Sequence, residues 1–134
     1  MGNARQLEIQ AVHYLRRDIA YNTTGIAAGV LIGTVPAGSK ITRAVVYVDT
    51  AFNAGTTNVL VAGTTGTGTN LVAAGDVTEG TPNAYTPADA ANQGRGLIFA
   101  ADTDLFVSYT QTGTAATTGV ATIIVEYVPL SNGG

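Results

Sequence analysis

The segment from Leu105 to Val128 limits the fold most strongly, because it holds two runs of residues that favour β-strands. Residues 105–111 read Leu-Phe-Val-Ser-Tyr-Thr-Gln, and residues 120–128 read Val-Ala-Thr-Ile-Ile-Val-Glu-Tyr-Val. The connector between them, residues 112–119, contains only Thr, Gly and Ala. β-Branched and aromatic runs on either side of a small-residue connector are typical of a long antiparallel hairpin.

The same alternation of apolar runs and small polar connectors extends over most of the chain. Glycine and asparagine in the connectors adopt the positive φ that turns require. Such closely spaced runs favour a sandwich or barrel over βαβ units. The sequence therefore predicts an all-β fold, a jelly-roll-like antiparallel β-sandwich. Its eight predicted strands are Val12–Tyr21, Gly25–Val35, Ile41–Thr50, Asn58–Gly63, Leu71–Thr78, Leu97–Ala100, Asp104–Gln111 and Val120–Val128.

Alternation within the strands predicts which side chains face the core, because successive residues point to opposite faces of a sheet. In the last two strands the predicted inward residues are Leu105, Val107, Tyr109, Ala121, Ile123, Val125 and Tyr127. Phe106 and Ile124 then point outward. In the central strand, the apolar face holds Ala44, Val46 and Val48, and the mixed face holds Arg43, Val45, Tyr47 and Asp49.

Two segments leave the strand pattern open. We divide the chain into an N-terminal arm at residues 1–16 and a β-sandwich domain at residues 17–134. Both a short helix and a strand are open for the arm, since its apolar residues also fall at helical spacing: Ala4, Leu7, Ala11, Tyr14 and Leu15. Residues 79–94 are too long for a hairpin turn and are predicted to form a surface loop or one helical turn.

Composition excludes several classes of function. A length of 134 residues suits one domain, and the absence of cysteine excludes disulfides and thiolate metal sites. Only 11% of the residues are charged, against about 25% in a typical soluble domain, and the net charge is −3. A chain with one basic doublet, Arg16-Arg17, is a poor candidate for binding nucleic acid. No apolar run is long enough to span a bilayer, so we expect no membrane partner, and no secretory signal is recognised.

Few residues offer catalytic chemistry, and we predict no enzyme activity and no cofactor. His13 is the single histidine, and Ser39 and Ser108 show no triad pattern with it. Ser39 lies in a predicted turn, where we expect its hydroxyl to satisfy backbone groups. Asp102-Thr-Asp104 has two interpretations, a pair of calcium ligands or a tight bend before a strand in which the aspartates accept backbone hydrogen bonds.

The remaining candidates are contact residues. Tyr47, Tyr85 and Phe106 are the aromatics that a carbohydrate-binding β-sandwich would expose, although the chain has no tryptophan. The Arg16-Arg17-Asp18 run has two interpretations: charges that protect an edge strand from pairing, or a salt link between subunits. The candidate interface residues are Arg16, Arg17, Tyr47, Phe106 and Ile124.

Four stretches resemble small structural proteins of tailed-bacteriophage heads. They are residues 25–43, beginning Gly-Ile-Ala-Ala-Gly-Val; residues 48–60, beginning Val-Asp-Thr-Ala-Phe-Asn; residues 102–117; and the closing Val-Glu-Tyr-Val-Pro at residues 125–129. The resemblance extends from Arg17 to Pro129 and carries no catalytic motif.

That resemblance implies a capsid decoration (cement) protein with a jelly-roll fold, made in the host cytoplasm and located on the outer surface of the virion capsid. Its expected partners are neighbouring major capsid protein subunits, which it binds across as a homo-oligomer, a dimer or a trimer, so that the head is stabilised. Two alternatives are a glycan- or host-surface-binding module of a head or tail fibre, and a head–tail connector or tail component.

Overall fold

The structure is a computed structural model and describes residues 12–87 and 98–129. Within these residues the chain forms seven β-strands and no α-helix. The strands are β1 (His13–Ala20), β2 (Val30–Val35), β3 (Ser39–Thr50), β4 (Thr57–Gly63), β5 (Asn83–Tyr85), β6 (Thr103–Thr112) and β7 (Val120–Pro129).

The strands form two antiparallel sheets, with the orders β1-β7-β3-β5 and β2-β6-β4. Successive strands from β1 to β7 alternate between the two sheets. An isolated β-bridge joins Val72 to Ala62 of β4, so a single residue lies where an eighth strand would pair with β4. The predicted jelly-roll-like β-sandwich is therefore confirmed.

The core lies between the two sheets and contains the residues that alternation assigns to it. Leu105, Val107 and Tyr109 of β6 are buried, as are Ala121, Ile123 and Val125 of β7. The rings of Phe52 and Tyr109 pack together with their centroids 4.6 Å apart. Tyr127 is half-buried and packs at the margin of the core. The apolar face predicted for the central strand is also confirmed, since Ala44, Val46 and Val48 are each at most 3% exposed.

The hairpin predicted over residues 105–128 is wrong. β6 pairs with β2 and β4, whereas β7 pairs with β1 and β3 in the opposite sheet. The connector crosses from one sheet to the other and is held by Asn53: its Oδ1 accepts hydrogen bonds from the Thr117 and Thr118 amides at 2.8 and 3.0 Å. The strand pattern was correct, but it does not identify which strands are neighbours.

Three further strand predictions need correction. Residues 71–78 form only the bridge at Val72, because a turn follows in which the Asp76 carboxylate accepts the Ala73 amide at 2.8 Å. In the segment 97–100, Ile98 makes only a bridge to Lys40, and residue 97 lies outside the described residues. β5 lies in the segment predicted as a loop, where three residues pair with β3.

The starts of two strands also differ from prediction. β2 begins five residues later than expected, because residues 25–29 form a turn in which the Gly29 amide donates to the Gly25 carbonyl at 3.0 Å. β1 begins at His13, so residues 13–16, assigned to the arm, are strand, and the helical alternative is wrong for residues 13–17. Residues 1–11 lie outside the described residues.

We expect Gly119→Ala to destabilise the protein by about 2–5 kcal/mol, because it combines two costs. Gly119 has a φ of +143°, and a Cβ there would contact the ring of Phe52. Positive φ costs an L-residue about 1–2 kcal/mol, and overpacking adds about 1–3 kcal/mol. The free energy of unfolding in urea measures the sum.

Two glycines serve as controls for this variant. Gly75 has a φ of +96° with nothing near its missing Cβ, so Gly75→Ala should show the conformational cost alone, about 1–2 kcal/mol. Gly80 has open space and no positive φ, so Gly80→Ala should change stability by less than about 0.5 kcal/mol. Equal effects at Gly119 and Gly75 would contradict the packing of Phe52 against Gly119.

Candidate interaction surface

Three of the five predicted interface residues lie together on the outer face of the four-stranded sheet. Antiparallel pairing places Arg16 beside Ile124, and the next row places Asp18 beside Thr122 and Tyr47. These side chains line an open groove of about 490 Å³, which we call the outer groove. Its lining residues are Arg16, Asp18, Tyr47, Asp49, Val120, Thr122 and Ile124.

The apolar part of the outer groove comes from β3 and β7. Tyr47 is 41% exposed and Val120 is 39% exposed, although both are large hydrophobic residues. Ile124 lies between them and Arg16 and is half-buried. Exposed apolar side chains beside one another on a flat sheet are typical of a surface that a partner covers.

The polar part of the outer groove is pre-ordered by hydrogen bonds. The Arg16 guanidinium lies 3.2 Å from the Asp18 carboxylate, and the Thr122 hydroxyl donates to the same oxygen at 2.8 Å. The bond from Thr122, followed by the bond from Arg16, lowers the pKa of Asp18 below its ordinary value. Asp18 is therefore ionised at neutral pH and faces a fixed cation.

The other two predicted interface residues lie elsewhere. Arg17 points to the opposite side of β1 from Arg16, and its guanidinium donates to the Leu31 carbonyl of β2 at 3.2 Å. Phe106 is half-buried on the outer face of the three-stranded sheet, where it pairs with Leu31 and Gly63. Both residues were proposed from exposure or charge alone, without the strand order that separates them from the outer groove.

Four groove residues were absent from the predicted interface set: Asp18, Asp49, Val120 and Thr122. Asp18 and Thr122 follow from period-2 alternation, since they lie two residues from Arg16 and Ile124 on the same faces. Placing them beside each other and beside Tyr47 required the registers of β1 on β7 and of β7 on β3, which one sequence does not supply.

The aromatics proposed for carbohydrate binding do not form one site. Tyr47 lies on the outer face of one sheet and Phe106 on the outer face of the other. The Tyr85 hydroxyl donates to the carbonyls of Thr78 and Thr81, at 3.0 and 2.6 Å, so it anchors the loop before β5. A stacking platform for a sugar needs neighbouring exposed rings, which this arrangement does not provide.

The residues considered for catalysis or calcium binding have structural contacts. The His13 ring stacks on Tyr127 with centroids 5.5 Å apart. Asp102 accepts the Ala37 amide at 2.9 Å, as the bend interpretation predicts, whereas Asp104 accepts the Thr34 side-chain hydroxyl at 2.7 Å. Over residues 12–87 and 98–129, no group of three His, Cys, Asp or Glu side chains is arranged to hold a metal ion.

The contacts of the buried Ser39 differ from expectation. The Ser39 hydroxyl was expected to satisfy backbone groups, but neither it nor the Ser108 hydroxyl has a hydrogen-bond partner in the described part of the chain.

Among residues 12–87 and 98–129, no helix has the length and apolar character needed to cross a membrane.

Glu79 has a buried carboxylate that covers part of the edge of β4. One carboxylate oxygen accepts the Leu60 amide at 2.8 Å, and the residue is 8% exposed. Burial raises the pKa of the Glu79 carboxyl, and the bond from Leu60 offsets part of that shift. Burial also raises the pKa of Tyr109, with a smaller contribution from the Glu79 charge. The Tyr109 hydroxyl donates to Asn58 Oδ1 at 2.6 Å.

We expect Glu79→Gln to reduce the loss of stability on raising the pH. The folded state of the wild type holds the Glu79 proton more tightly than the unfolded chain does. Its stabilising contribution is therefore complete below the ordinary pKa of 4.5 and is lost as the pH rises through the folded pKa. The glutamine is neutral throughout and keeps an acceptor for the Leu60 amide.

Urea unfolding of both proteins from acidic to neutral pH checks this expectation. The difference in unfolding free energy between variant and wild type should grow in the variant's favour as the pH rises. Glu79→Ala is the second arm: it leaves the buried Leu60 amide without its partner and should cost about 1–3 kcal/mol. Parallel pH profiles for Glu79→Gln and the wild type would contradict a raised pKa of Glu79 in the folded state.

Comparisons with known proteins add evidence on the fold. No family model and no curated protein matches the chain. A chain in the solved cyanophage Pam1 capsid asymmetric unit matches it with a TM-score of 0.55 and 17% identity, over 87% of this chain and 84% of that one. A chain in the solved capsid of Ralstonia phage GP4 matches with a TM-score of 0.59 and 22% identity, over 98% of this chain and 92% of that one. At these identities the likeness shows a shared fold.

Proposed function

We propose that this chain is a structural protein of a tailed-phage capsid, and more specifically a decoration (cement) protein on the outer surface of the head. The observation that carries the proposal is the near-complete match of its sandwich to chains in two phage capsid structures, over 98% of this chain in the Ralstonia phage GP4 case. The proposed partner is the major capsid protein, bound across neighbouring subunits.

The outer groove supports a role in contact. It combines three apolar residues, Tyr47, Val120 and Ile124, with charged residues of which Arg16 and Asp18 are paired with each other within the chain. Protein interfaces commonly combine apolar, aromatic and polar side chains. Because Arg16 and Asp18 neutralise one another before binding, covering them costs less desolvation than burying a single charge. We therefore propose that the outer groove contacts the capsid.

Multivalency is the physical basis of the proposed cementing role. Each copy makes modest contacts, but a copy that touches two capsid subunits joins them, and many copies act on one lattice. The β-sandwich suits this role because its strands are held by long-range pairings that open slowly. An enzyme role has no support from the residues described here, and its absence remains a prediction.

Heads that carry the protein should resist heating better than heads without it. Heads assembled from the major capsid protein of the same phage are compared with and without added protein, by differential scanning calorimetry and by DNA release. We expect a higher disruption temperature for decorated heads. Stable association with no change in disruption temperature would contradict cementing, and association with tails or portal rings alone would favour the connector alternative.

The outer groove should carry the affinity for heads. We expect the double substitution Tyr47→Ala, Val120→Ser to weaken head binding by at least about thirtyfold, equivalent to about 2 kcal/mol, because a few side chains, aromatic ones above all, carry most of an interface's binding energy. Co-sedimentation with heads across a concentration series gives the dissociation constant. Both sites are surface positions, so the thermal midpoint should remain close to the wild type.

Leu31→Ala is the matched control, because Leu31 is 44% exposed and lies on the other sheet. It removes a comparable exposed apolar side chain and should leave head binding unchanged. Loss of binding for Leu31→Ala with normal binding for the double variant would place the contact on the three-stranded sheet instead. A glycan array with the wild type tests the carbohydrate alternative, for which we expect no signal.

A further inference from the structure

The edges of the two sheets are protected unequally. The edge of β4 is closed by two features: the Ala62 amide donates to the Val72 carbonyl at 3.0 Å, and Glu79 accepts the Leu60 amide. The pairing of β2 with β6 contains a register shift between Leu31 and Gly33, and the Arg17 guanidinium donates a hydrogen bond to the Leu31 carbonyl.

β5 has little edge to offer, because it is three residues long and follows Pro82. Short strands, prolines, bulges and inserted charges are the usual protections against pairing with another chain. β1 has none of the first three within its eight residues and has one free side in the sheet order β1-β7-β3-β5.

Hydrogen-bond parity shows which groups of β1 face that free side. The amide of Tyr21, just after β1, donates to the carbonyl of Gly119, just before β7, at 3.0 Å. In an antiparallel ladder the residues bonded to one neighbour alternate with those that face the other side. The odd-numbered residues of β1 therefore bond to β7, and the backbone groups of Tyr14, Arg16 and Asp18 face away from it.

Ala20 is the one even-numbered residue of β1 that is already engaged. Its amide donates to the Thr23 hydroxyl at 2.8 Å, and its carbonyl accepts the Thr23 amide at 3.1 Å. For Tyr14, Arg16 and Asp18, the described residues supply no backbone partner on the free side. Arg16 and Asp18 are enough for a short antiparallel ladder between two copies, with Tyr14 left outside it wherever it lies opposite an engaged Ala20.

We propose that β1 pairs antiparallel with β1 of a second copy about a twofold axis at Arg17, which places Arg16 opposite Asp18 of the second copy. Since the outward-facing backbone groups of β1 belong to even-numbered residues, even-numbered residues of the two copies must lie opposite one another. The neighbouring registers of that parity place Arg16 opposite Arg16 or Asp18 opposite Asp18, and like charges directly opposite are destabilising. The chosen register makes two opposite-charge pairs, one on each side of the axis. Its one like-charge pair is Arg17 with Arg17 of the second copy, where each guanidinium donates to the Leu31 carbonyl of its own chain.

The side chains are arranged for this register. Arg16 and Asp18 lie on the same face, 3.2 Å apart, and are 57% and 63% exposed. Two copies would bring four charges of alternating sign together, with Asp18 held in place by Thr122. Arg17 lies at the axis on the opposite face, where its own Leu31 carbonyl already binds its guanidinium.

The pairing closes on itself, because a twofold interface uses the same strand in both copies and leaves no free edge of β1. It joins the two four-stranded sheets into one eight-stranded sheet with two outer grooves. This inference goes beyond the proposed capsid role and is tested with the purified protein alone, so that its failure is separate from failure to bind heads.

Charge reversal on one strand tests the register. Sedimentation equilibrium of the wild type should show a monomer–dimer equilibrium. R16D makes both positions acidic and D18R makes both basic, so each variant alone should dimerise at least about tenfold more weakly. An equimolar mixture of the two variants restores both opposite-charge pairs and should recover a heterodimer. R43E changes a charge on the same face but on β3 and should leave dimerisation unchanged.

Amide hydrogen exchange of the wild type provides a measurement that does not depend on variant folding. The amides of Arg16 and Asp18 should be protected at concentrations where the dimer forms and exchange rapidly on dilution. A monomer or a trimer at all concentrations would overturn the proposal. So would dimers that tolerate both single reversals, a mixture that stays monomeric, or amides at Arg16 and Asp18 that exchange at the same rate at every concentration.

Discussion

The antiparallel pairing of β7 with β3 is the interaction on which the rest of the structure depends. Ser39–Thr50 and Val120–Pro129 pair along most of their length, and the other side of β7 pairs with β1. β7 comes last in the chain but lies between two strands from its first half. The four-stranded sheet therefore forms only when distant parts of the chain meet, which is a topology of slow folding and slow opening.

The register of these strands also determines the outer groove. A slip by one residue would exchange the faces of a strand and send Tyr47 or Ile124 into the core. The buried rows on the other face, including Val46 and Ile123, oppose such a slip because they are closely packed. At the register shift between Val48 and Thr50, Asp49 has no partner in β7, and it lines the groove. The core thus fixes the surface that we propose for contact.

The sequence predicts faces well and neighbours poorly, for one physical reason. Alternation reports which side of a strand is buried, so the inward residues of β6 and β7 were correct. It contains no information on pairing, so the same two strands were wrongly joined as a hairpin across the crossing held by Asn53. Leu71 and Val72 are fully buried without forming a regular strand. Burial alone therefore overstates strand content where a turn follows at once.

The candidate site shows the same limit at the level of single residues. Adjacent residues of a strand point to opposite faces, so the Arg16-Arg17 doublet is two separate features: Arg16 in the outer groove and Arg17 on the edge of β2. Alternation could have separated them. The convergence of Arg16 with Tyr47 and Ile124 needed the strand order.

The few charges of the chain make their placement informative. With six basic and nine acidic residues in 134, Glu79 is used on the edge of β4 and Arg17 on the edge of β2. Charges of one sign along β1 would repel a second copy, as edge charges commonly do. Arg16 and Asp18 instead have opposite signs and are spaced by two, so that a strand reversed about Arg17 matches itself. Charged residues thus oppose pairing at the edges of β4 and β2, whereas at the edge of β1 they favour one register of pairing.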